Sequence, residues 1–176
     1  KFDYQNASNE TTACTTIVGN FKAKKYDLIM ANATAALQAA ANAVTDIPIL
    51  GTSVTEYGVA LGIDNFNGTV GGNVSGTSDL GDLDSQAQMI LDLVPSAKKV
   101  ALLYCSAEPN SKYQVLKVTE YLSAKGVESK EYPFADTNDI SAVATGAADY
   151  GDAIYVPTDN TVAANTETID AVCRPK

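Results

Sequence analysis

Polar side chains suited to holding a small solute follow five short apolar runs of this chain, the first of them at Phe2–Tyr4. Each run ends in asparagine, threonine, serine or aspartate, whose amide, hydroxyl and carboxylate groups donate or accept hydrogen bonds. The candidate binding residues are Asn32, Thr34, Thr52, Ser53, Thr55, Asn110, Ser111, Asp159, Asn160 and Thr161. Together with the N-termini of the helices that follow, such groups suit a small polar or zwitterionic solute. The repetition of the pattern favours binding rather than bond-breaking.

A zwitterion needs partners of both polarities, and the candidate residues offer both. A carboxylate needs N–H and O–H donors, whereas an ammonium group needs a carboxylate or carbonyl oxygen. Asp159 follows an apolar strand and is the sharpest single candidate for an ammonium partner. Helix capping is the alternative for Asp159, Thr34 and Ser53, and a capping residue can also contact a ligand. Glu108, which follows another predicted strand, is interpreted as a solvated side chain.

Several kinds of catalysis are excluded by the residue types that the chain lacks. It contains no histidine, which removes a Ser–His–Asp triad, a Cys–His nucleophile and a His-ligated zinc. Its three cysteines, Cys14, Cys105 and Cys173, form no CxxC pair, and their odd number argues against a disulfide framework. The glycine-rich stretch 58–80 carries no GxxxxGK[ST] or GxGxxG motif. We therefore expect no catalytic residue, no metal and no cofactor.

Length, composition and charge limit the classes of partner. The chain has 176 residues, of which 45% are hydrophobic, so one domain or two small lobes with a folded core are expected. Its 21 acidic and 12 basic residues give a net charge of −9. Such a charge disfavours nucleic acid and anionic lipid as partners. The sequence has no run of about 18 apolar residues and so predicts no transmembrane helix.

The candidate residues must be positioned by strands that alternate with helices. We predict strands at 2–5, 27–31, 47–51, 98–104, 128–133 and 152–156, helices at 10–24, 34–44, 81–94, 110–125, 138–148 and 161–172, and an irregular crossover at 52–80. This alternation predicts an α/β fold with parallel sheets flanked by helices. In such sheets the carboxyl ends of the strands line the ligand crevice, and the candidate residues stand at those ends.

Six segments together carry a family resemblance: Phe2–Ala7, Asp27–Thr34, Ile49–Thr55, Asn73–Asp79, Leu103–Ser111 and Val156–Thr161. Taken in order, they resemble bacterial ABC-transporter substrate-binding proteins, in the branch associated with tryptophan and other aromatic amino acids. The resemblance extends over essentially the whole chain. It implies a type I periplasmic-binding fold with two lobes of parallel sheet, and an exported protein that Gram-positive bacteria attach through a lipid.

The resemblance also implies lobe boundaries and a function. Residues 1–79 correspond to part of an N-terminal lobe without its first strand, and 80–176 to part of a C-terminal lobe without its C-terminal part. The implied function is delivery of a small ligand, an aromatic amino acid, to an ABC permease by hinge closure. The implied location is the periplasm or the cell surface, with membrane attachment only through a lipid anchor outside this segment. The Gly51-Thr52-Ser53 turn is expected to hold the ligand's carboxylate.

Three other functions remain open from the sequence. The same fold could bind a sugar or a nucleoside instead of an amino acid. It could also form the effector-binding core of a transcription regulator, which would carry a helix-turn-helix before its first strand. An enzyme of flavodoxin-like architecture is disfavoured, because the chain lacks histidine, a phosphate loop and an activated nucleophile.

Overall fold

The computed structural model describes residues 2–175, and the chain divides into two compact units, residues 1–80 and 81–176. Each unit holds a three-stranded parallel sheet with helices packed against it. The predicted α/β class with parallel sheets flanked by helices is therefore confirmed. Within the described residues, no helix combines the length and the apolar character needed to cross a membrane.

The sheet of the first unit has the strand order β1-β2-β3. The elements of this unit are β1 (Ile29–Asn32), β2 (Ile49–Val54), β3 (Val74–Ser78), α1 (Thr11–Lys24), α2 (Thr34–Ala43) and α3 (Tyr57–Leu61). Buried and exposed residues alternate along β1, so one face of the strand carries Ile29 and Ala31 into the core. Leu37 and Ala40 of the alanine-rich α2 are fully buried in the same core.

The sheet of the second unit has the strand order β5-β4-β6. The elements of this unit are β4 (Lys99–Cys105), β5 (Glu128–Phe134), β6 (Ala153–Tyr155), α4 (Leu83–Leu93), α5 (Pro109–Ala124), α6 (Ile140–Tyr150), α7 (Asn160–Ala163) and α8 (Thr166–Cys173). A 3₁₀ turn at Thr137–Asp139 precedes α6. The central strand β4 is buried from Val100 to Cys105, as its continuous apolar sequence predicts for a strand covered on both faces.

The strand predicted at 2–5 is wrong, because residues 2–7 lie in neither a helix nor a strand. The short run Phe2–Tyr4 followed by polar residues suggested a strand, yet both of its aromatic side chains are exposed. Asp3 instead makes side-chain contacts, with its Oδ2 accepting from Lys24 Nζ at 2.7 Å and from the Tyr26 hydroxyl at 2.5 Å. A short run of this kind was therefore insufficient evidence, since a strand also needs a neighbouring backbone to pair with.

The prediction that 52–80 is irregular is also wrong, because this stretch contains α3 and the edge strand β3. The sequence of β3, VSGTS, has one apolar residue and a glycine, and four of its five residues are exposed. Hydrophobic patterning therefore could not reveal it. Pairing with β2 stabilises β3, and Tyr57 at the start of α3 donates from its hydroxyl to the carbonyl of Thr77 at 3.2 Å.

The helix predicted at 161–172 is two helices, α7 and α8. The break follows Ala164, where Asn165 donates from Nδ2 to the carbonyl oxygen of Thr161 at 2.8 Å. An asparagine side chain that bonds a carbonyl of the preceding turn competes with regular helix continuation. Asn165 then serves as the N-cap position of α8.

Candidate functional site

The first unit gathers three candidate residues at the carboxyl ends of β1 and β2. Asn32 is the last residue of β1, and the parallel register places it beside Thr52 of β2. The backbone N–H of Ala33 donates to the carbonyl of Thr52 at 2.9 Å. Asn32 and Ser53 are exposed and Thr52 is half-buried, so all three side chains can meet a solute. The predicted juxtaposition follows from the shared direction of parallel strands.

The backbone is strained at this edge of the sheet. Ala33 has φ 76° and ψ 162°, a conformation that is nearly exclusive to glycine. Ser53 has φ 53° inside β2, where the register with β3 shifts between Gly51 and Val54. Non-glycine residues in these regions cost about 1–3 kcal/mol each and concentrate at functional sites. Sequence reasoning missed this feature, because neither alanine nor serine signals a positive φ.

The capping interpretations for Thr34 and Ser53 are wrong. Thr34 is the first residue of α2, and the N-cap position belongs to Ala33, whose methyl group cannot accept a hydrogen bond. Glu56 is the N-cap of α3, and its side chain accepts from the N–H of Val59 at 2.6 Å. Thr34 and Thr55 are buried, with 4% and 3% of their surfaces exposed. Burial leaves these two hydroxyls less accessible to a solute than the side chains of Asn32, Thr52 and Ser53.

In the second unit, Asp159 lies in the loop between β6 and α7 and is 4% exposed. Its Oδ1 accepts from the N–H of Val162 at 2.8 Å, which caps α7 as the alternative interpretation predicted. Its Oδ2 accepts from the N–H of Cys105 at 2.7 Å and from the Ser111 hydroxyl at 2.8 Å. Both oxygens of the sharpest ammonium candidate are thus engaged by protein donors.

Glu108, at the N-cap of α5, was interpreted from the sequence as a solvated side chain, and that interpretation is wrong. Only 8% of its surface is exposed. Its Oε2 accepts from the backbone and side-chain nitrogens of Asn160, at 3.0 and 3.1 Å. Its Oε1 accepts from the backbone N–H and the hydroxyl of Thr161, at 2.9 and 2.7 Å. The available signal was its place before Pro109, which begins a helix directly after a fully apolar strand.

Asn110 and Ser111, in the first turn of α5, donate hydrogen bonds to the segment between β6 and α7. Asn110 donates from Nδ2 to the carbonyl of Thr158 at 2.9 Å, and the N–H of Thr158 donates to Gln114 Oε1 at 3.1 Å. Asn110 and Ser111 are 4% and 0% exposed. Among the candidates of this unit, the exposed Asn160 and the half-buried Thr161 are therefore the most accessible to a solute.

The two buried carboxylates differ in their electrostatics. Burial raises the pKa of Asp159, and the negative charge of Glu108 adds to that rise against the effect of the hydrogen bonds to Asp159. Burial also acts to raise the pKa of Glu108, but the hydrogen bonds from Thr161 and Asn160 outweigh it, and the net pKa lies below its ordinary value. Glu108 is consequently ionised at neutral pH.

A pocket of about 620 Å³ in the second unit is lined mainly by β6 and α8. Its lining includes the apolar Ile154 and Ile169 and the acidic Asp152 and Asp170. None of the candidate binding residues, all of which the structure describes, is among the residues that line this pocket. The candidate binding residues, by contrast, offer amide, hydroxyl and carboxylate groups at the carboxyl ends of the strands.

Comparisons with known proteins show which family the chain resembles. Residues 1–174 match the family described as ABC transporter substrate binding protein. A tyrosine-binding protein of Clostridioides difficile is 36% identical over 172 residues, which are 98% of this chain and 50% of that protein. The chain thus spans about half the length of this curated relative.

Two solved structures are also similar to this chain. The ABC domain from Streptococcus pneumonia, in complex with L-Trp, is 31% identical, with a TM-score of 0.93 over 99% of this chain and 60% of that chain. The ligand-free, open structure of a substrate binding protein with adhesive properties from Clostridium difficile is 36% identical, with a TM-score of 0.62 over 98% of this chain and 58% of that chain.

The relatives are binding proteins and not enzymes, so the prediction of a non-enzymatic chain is confirmed. The predicted type I periplasmic-binding fold is confirmed as well. The resemblance drawn from six sequence segments therefore agrees with a match over nearly all of the residues. This chain belongs to the family of ABC transporter substrate binding proteins.

Proposed function

We propose that this chain forms the ligand-binding part of a protein that captures an aromatic amino acid and delivers it to an ABC importer. The observation that carries the proposal is the similarity, above 30% identity over nearly the whole chain, to a tyrosine-binding protein and to a structure in complex with L-Trp. Both of those ligands are aromatic zwitterions. The polar strand ends of the two units supply the kinds of groups that such a ligand needs.

In this proposal the first unit holds the carboxylate of the amino acid. Asn32, Thr52 and Ser53 offer amide and hydroxyl donors at one edge of the sheet, beside the N-terminus of α2. The partial positive charge of a helix N-terminus favours an anion at this position. Thr34, the first residue of α2, and Thr55, which follows β2, are buried and support this edge of the sheet from within the fold.

The second unit binds the ammonium group in this proposal. Asn160 and Thr161 are its accessible polar residues, and the ionised Glu108 lies directly behind them. Asp159, Asn110 and Ser111 tie the loop after β6 to the loop after β4 and so keep Asn160 and Thr161 in place. Their contribution to binding is support of the loops rather than direct contact.

Delivery requires a change of conformation that the importer can detect. We place residues 1–79 and 80–176 in two lobes that close on the ligand, and the ligand's higher affinity for the closed state shifts the equilibrium towards it. The permease then recognises the closed form. The protein acts outside the cytoplasm, in the periplasm or held at the cell surface by a lipid anchor.

Calorimetric titration of the purified protein with L-tryptophan, L-tyrosine, L-phenylalanine and ribose tests this function. We expect saturable binding of at least one aromatic amino acid and no binding of ribose. The Thr52→Val variant removes a hydroxyl donor with little change of shape and should weaken that binding about tenfold, the value of one hydrogen bond to a charged group. Thr69→Val, at an exposed position of a loop, is the matched control.

Two results would overturn the proposed function. Binding of ribose without binding of any aromatic amino acid would identify a sugar-binding protein on the same fold. Equal affinities of wild type and the Thr52→Val variant would remove the first unit's strand ends from the carboxylate site. Melting temperatures of both variants, measured in parallel, separate a loss of ligand contact from a loss of folding.

A further inference from the structure

Glu108 occupies the N-cap position of α5 but directs its carboxylate to the first two residues of a different helix, α7. Four hydrogen bonds to its side chain come from Asn160 and Thr161, at distances between 2.7 and 3.1 Å. Asp159 shows the reciprocal arrangement, because it caps α7 and also accepts from Cys105 and Ser111 near α5. Each carboxylate thus braces the loop that follows the other strand.

A carboxylate only accepts hydrogen bonds, and it therefore determines which atoms of its partners face it. Asn160 must turn its Nδ2 towards Glu108, which directs its carbonyl oxygen Oδ1 to the opposite side of the amide plane. Oδ1 of this exposed residue accepts no hydrogen bond from residues 2–175. Thr161 donates its hydroxyl proton to Glu108, so that its hydroxyl oxygen can only accept from any other partner. Two side chains that could act as donors are thereby held as acceptors.

Linking the two segments to each other would not by itself require two buried carboxylates. Glu108 and Asp159 are 8% and 4% exposed, and the charge of each opposes the ionisation of the other. Replacing buried ionic groups by well-packed neutral ones is often neutral or even stabilising. A negative charge placed behind two neutral acceptors does, however, attract a cation at close range. The arrangement is therefore suited to an ammonium group better than to a hydroxyl or a carboxylate.

We propose that Glu108 is a positioning residue that holds Asn160 and Thr161 as acceptors for the amine of the ligand and thereby selects an aminated ligand. The inference rests on the proposed function, because it assigns a specificity role within the amino-acid site. Glu108 acts through its two neighbours and its charge, and Oδ1 of Asn160 makes the contact. A glutamine at position 108 would present a donor as well as an acceptor, so the amide of Asn160 could reverse and expose its Nδ2 instead.

The test compares two ligands that differ only in the amine. L-tyrosine and des-amino tyrosine are titrated into wild type, the Glu108→Gln variant and the Glu120→Gln variant, with binding followed by NMR so that weak complexes are also measured. Glu120 is an exposed glutamate of α5 paired with Lys117, and it provides the matched control. We expect Glu108→Gln to weaken L-tyrosine binding by about tenfold or more and to leave the des-amino compound unchanged. Glu120→Gln should leave both affinities unchanged.

The outcomes separate this inference from the proposed function. If wild type binds L-tyrosine and Glu108→Gln affects both ligands equally, or neither, then Glu108 has no role in selecting the amine and the inference alone is overturned. If wild type binds no aromatic amino acid, both proposals fail. Thermal melting reports whether the Glu108→Gln variant folds. If that variant does not fold, the Thr161→Val variant, which removes one acceptor and retains Glu108, is used instead. Thr161→Val should give the same selective loss for the aminated ligand.

Discussion

Ala33 shows how one residue can carry strain at the edge of a sheet. It joins β1 to α2 with φ 76° and ψ 162°, and its N–H donates to the carbonyl of Thr52 at 2.9 Å. The neighbouring residues Asn32 and Thr34 are both candidates for the ligand site. A strained backbone persists only where the surrounding structure over-determines it, which favours a rigid loop presenting these residues. The pairing with β2 is the contact that enforces the conformation.

Replacing Ala33 by glycine should relieve this strain. Glycine adopts positive φ without a steric penalty, and the strain of about 1–3 kcal/mol exceeds glycine's entropy cost of about 0.5–1 kcal/mol. We expect Ala33→Gly to raise the free energy of unfolding by about 0.5–2 kcal/mol in urea denaturation. Ala41→Gly, within the last turn of α2, is the control and should lower it by up to about 1 kcal/mol. A loss of stability in Ala33→Gly would show that the conformation is unstrained.

At the scale of elements, the pair β2–β3 depends on two glycines that face each other. Gly51 and Gly76 are register partners, and Tyr57 lies over them. A methyl group on Gly76 would come closer to the backbone of Gly51 and to the Tyr57 hydroxyl than real Cβ contacts allow. Tyr57 also donates a hydrogen bond to the carbonyl of Thr77. This bond and the close approach of the two glycines explain why the edge strand β3 is held in place although it has little apolar surface.

Gly76→Ala should therefore destabilise the first unit. The clash is with backbone atoms of Gly51, which cannot move aside as a flexible side chain can, and we expect a loss of about 2–4 kcal/mol. Gly19→Ala offers a control of opposite sign, because Gly19 lies within α1 and has open space around it. That substitution should raise the free energy of unfolding by about 0.5–1 kcal/mol. Equal effects of the two substitutions in urea denaturation would contradict the close approach.

At the scale of the whole molecule, the chain is acidic, and it also buries tyrosines whose ionisation opposes folding. Burial raises the pKa of Tyr104 to about 12, and the hydrogen bond to Glu131 acts in the same direction. Burial likewise raises the pKa of Tyr155 to about 12. Both tyrosines are in the core of the second unit, at 3% and 7% exposure. In the unfolded chain such groups ionise near their ordinary pKa of 10.

The second unit should consequently lose stability at alkaline pH. The unfolded chain releases these protons near pH 10 and the folded chain only near pH 12, so the stabilisation is complete below pH 10 and is lost as the pH rises through 12. The free energy of unfolding should fall by at most about 1.4 kcal/mol per pH unit for each of the two tyrosines. Tyr155→Phe should flatten the dependence measured by thermal melting. An equally steep fall of stability with rising pH in that variant would contradict the role of Tyr155.

Much of the fold could be predicted because local patterns carried it. The continuous apolar run of β4, the alanines of α2 and the alternation of strands with helices indicated parallel α/β units, and the structure has them. The strand at 2–5 failed, and β3 was missed, because pairing with a neighbouring strand depends on backbone partners elsewhere in the chain. Hydrophobic periodicity reports which face is buried and says nothing of an exposed edge strand.

The sequence by itself determined that polar residues follow apolar strands, that the chain is acidic and lacks histidine, and which family it resembles. Only the tertiary structure decided which of those polar residues are accessible. It buried Asp159 under three protein donors and turned the supposedly solvated Glu108 onto Asn160 and Thr161. The physical reason is that a buried carboxylate must find donors, and the donors of Glu108 lie more than fifty positions away along the chain, beyond the reach of any local pattern.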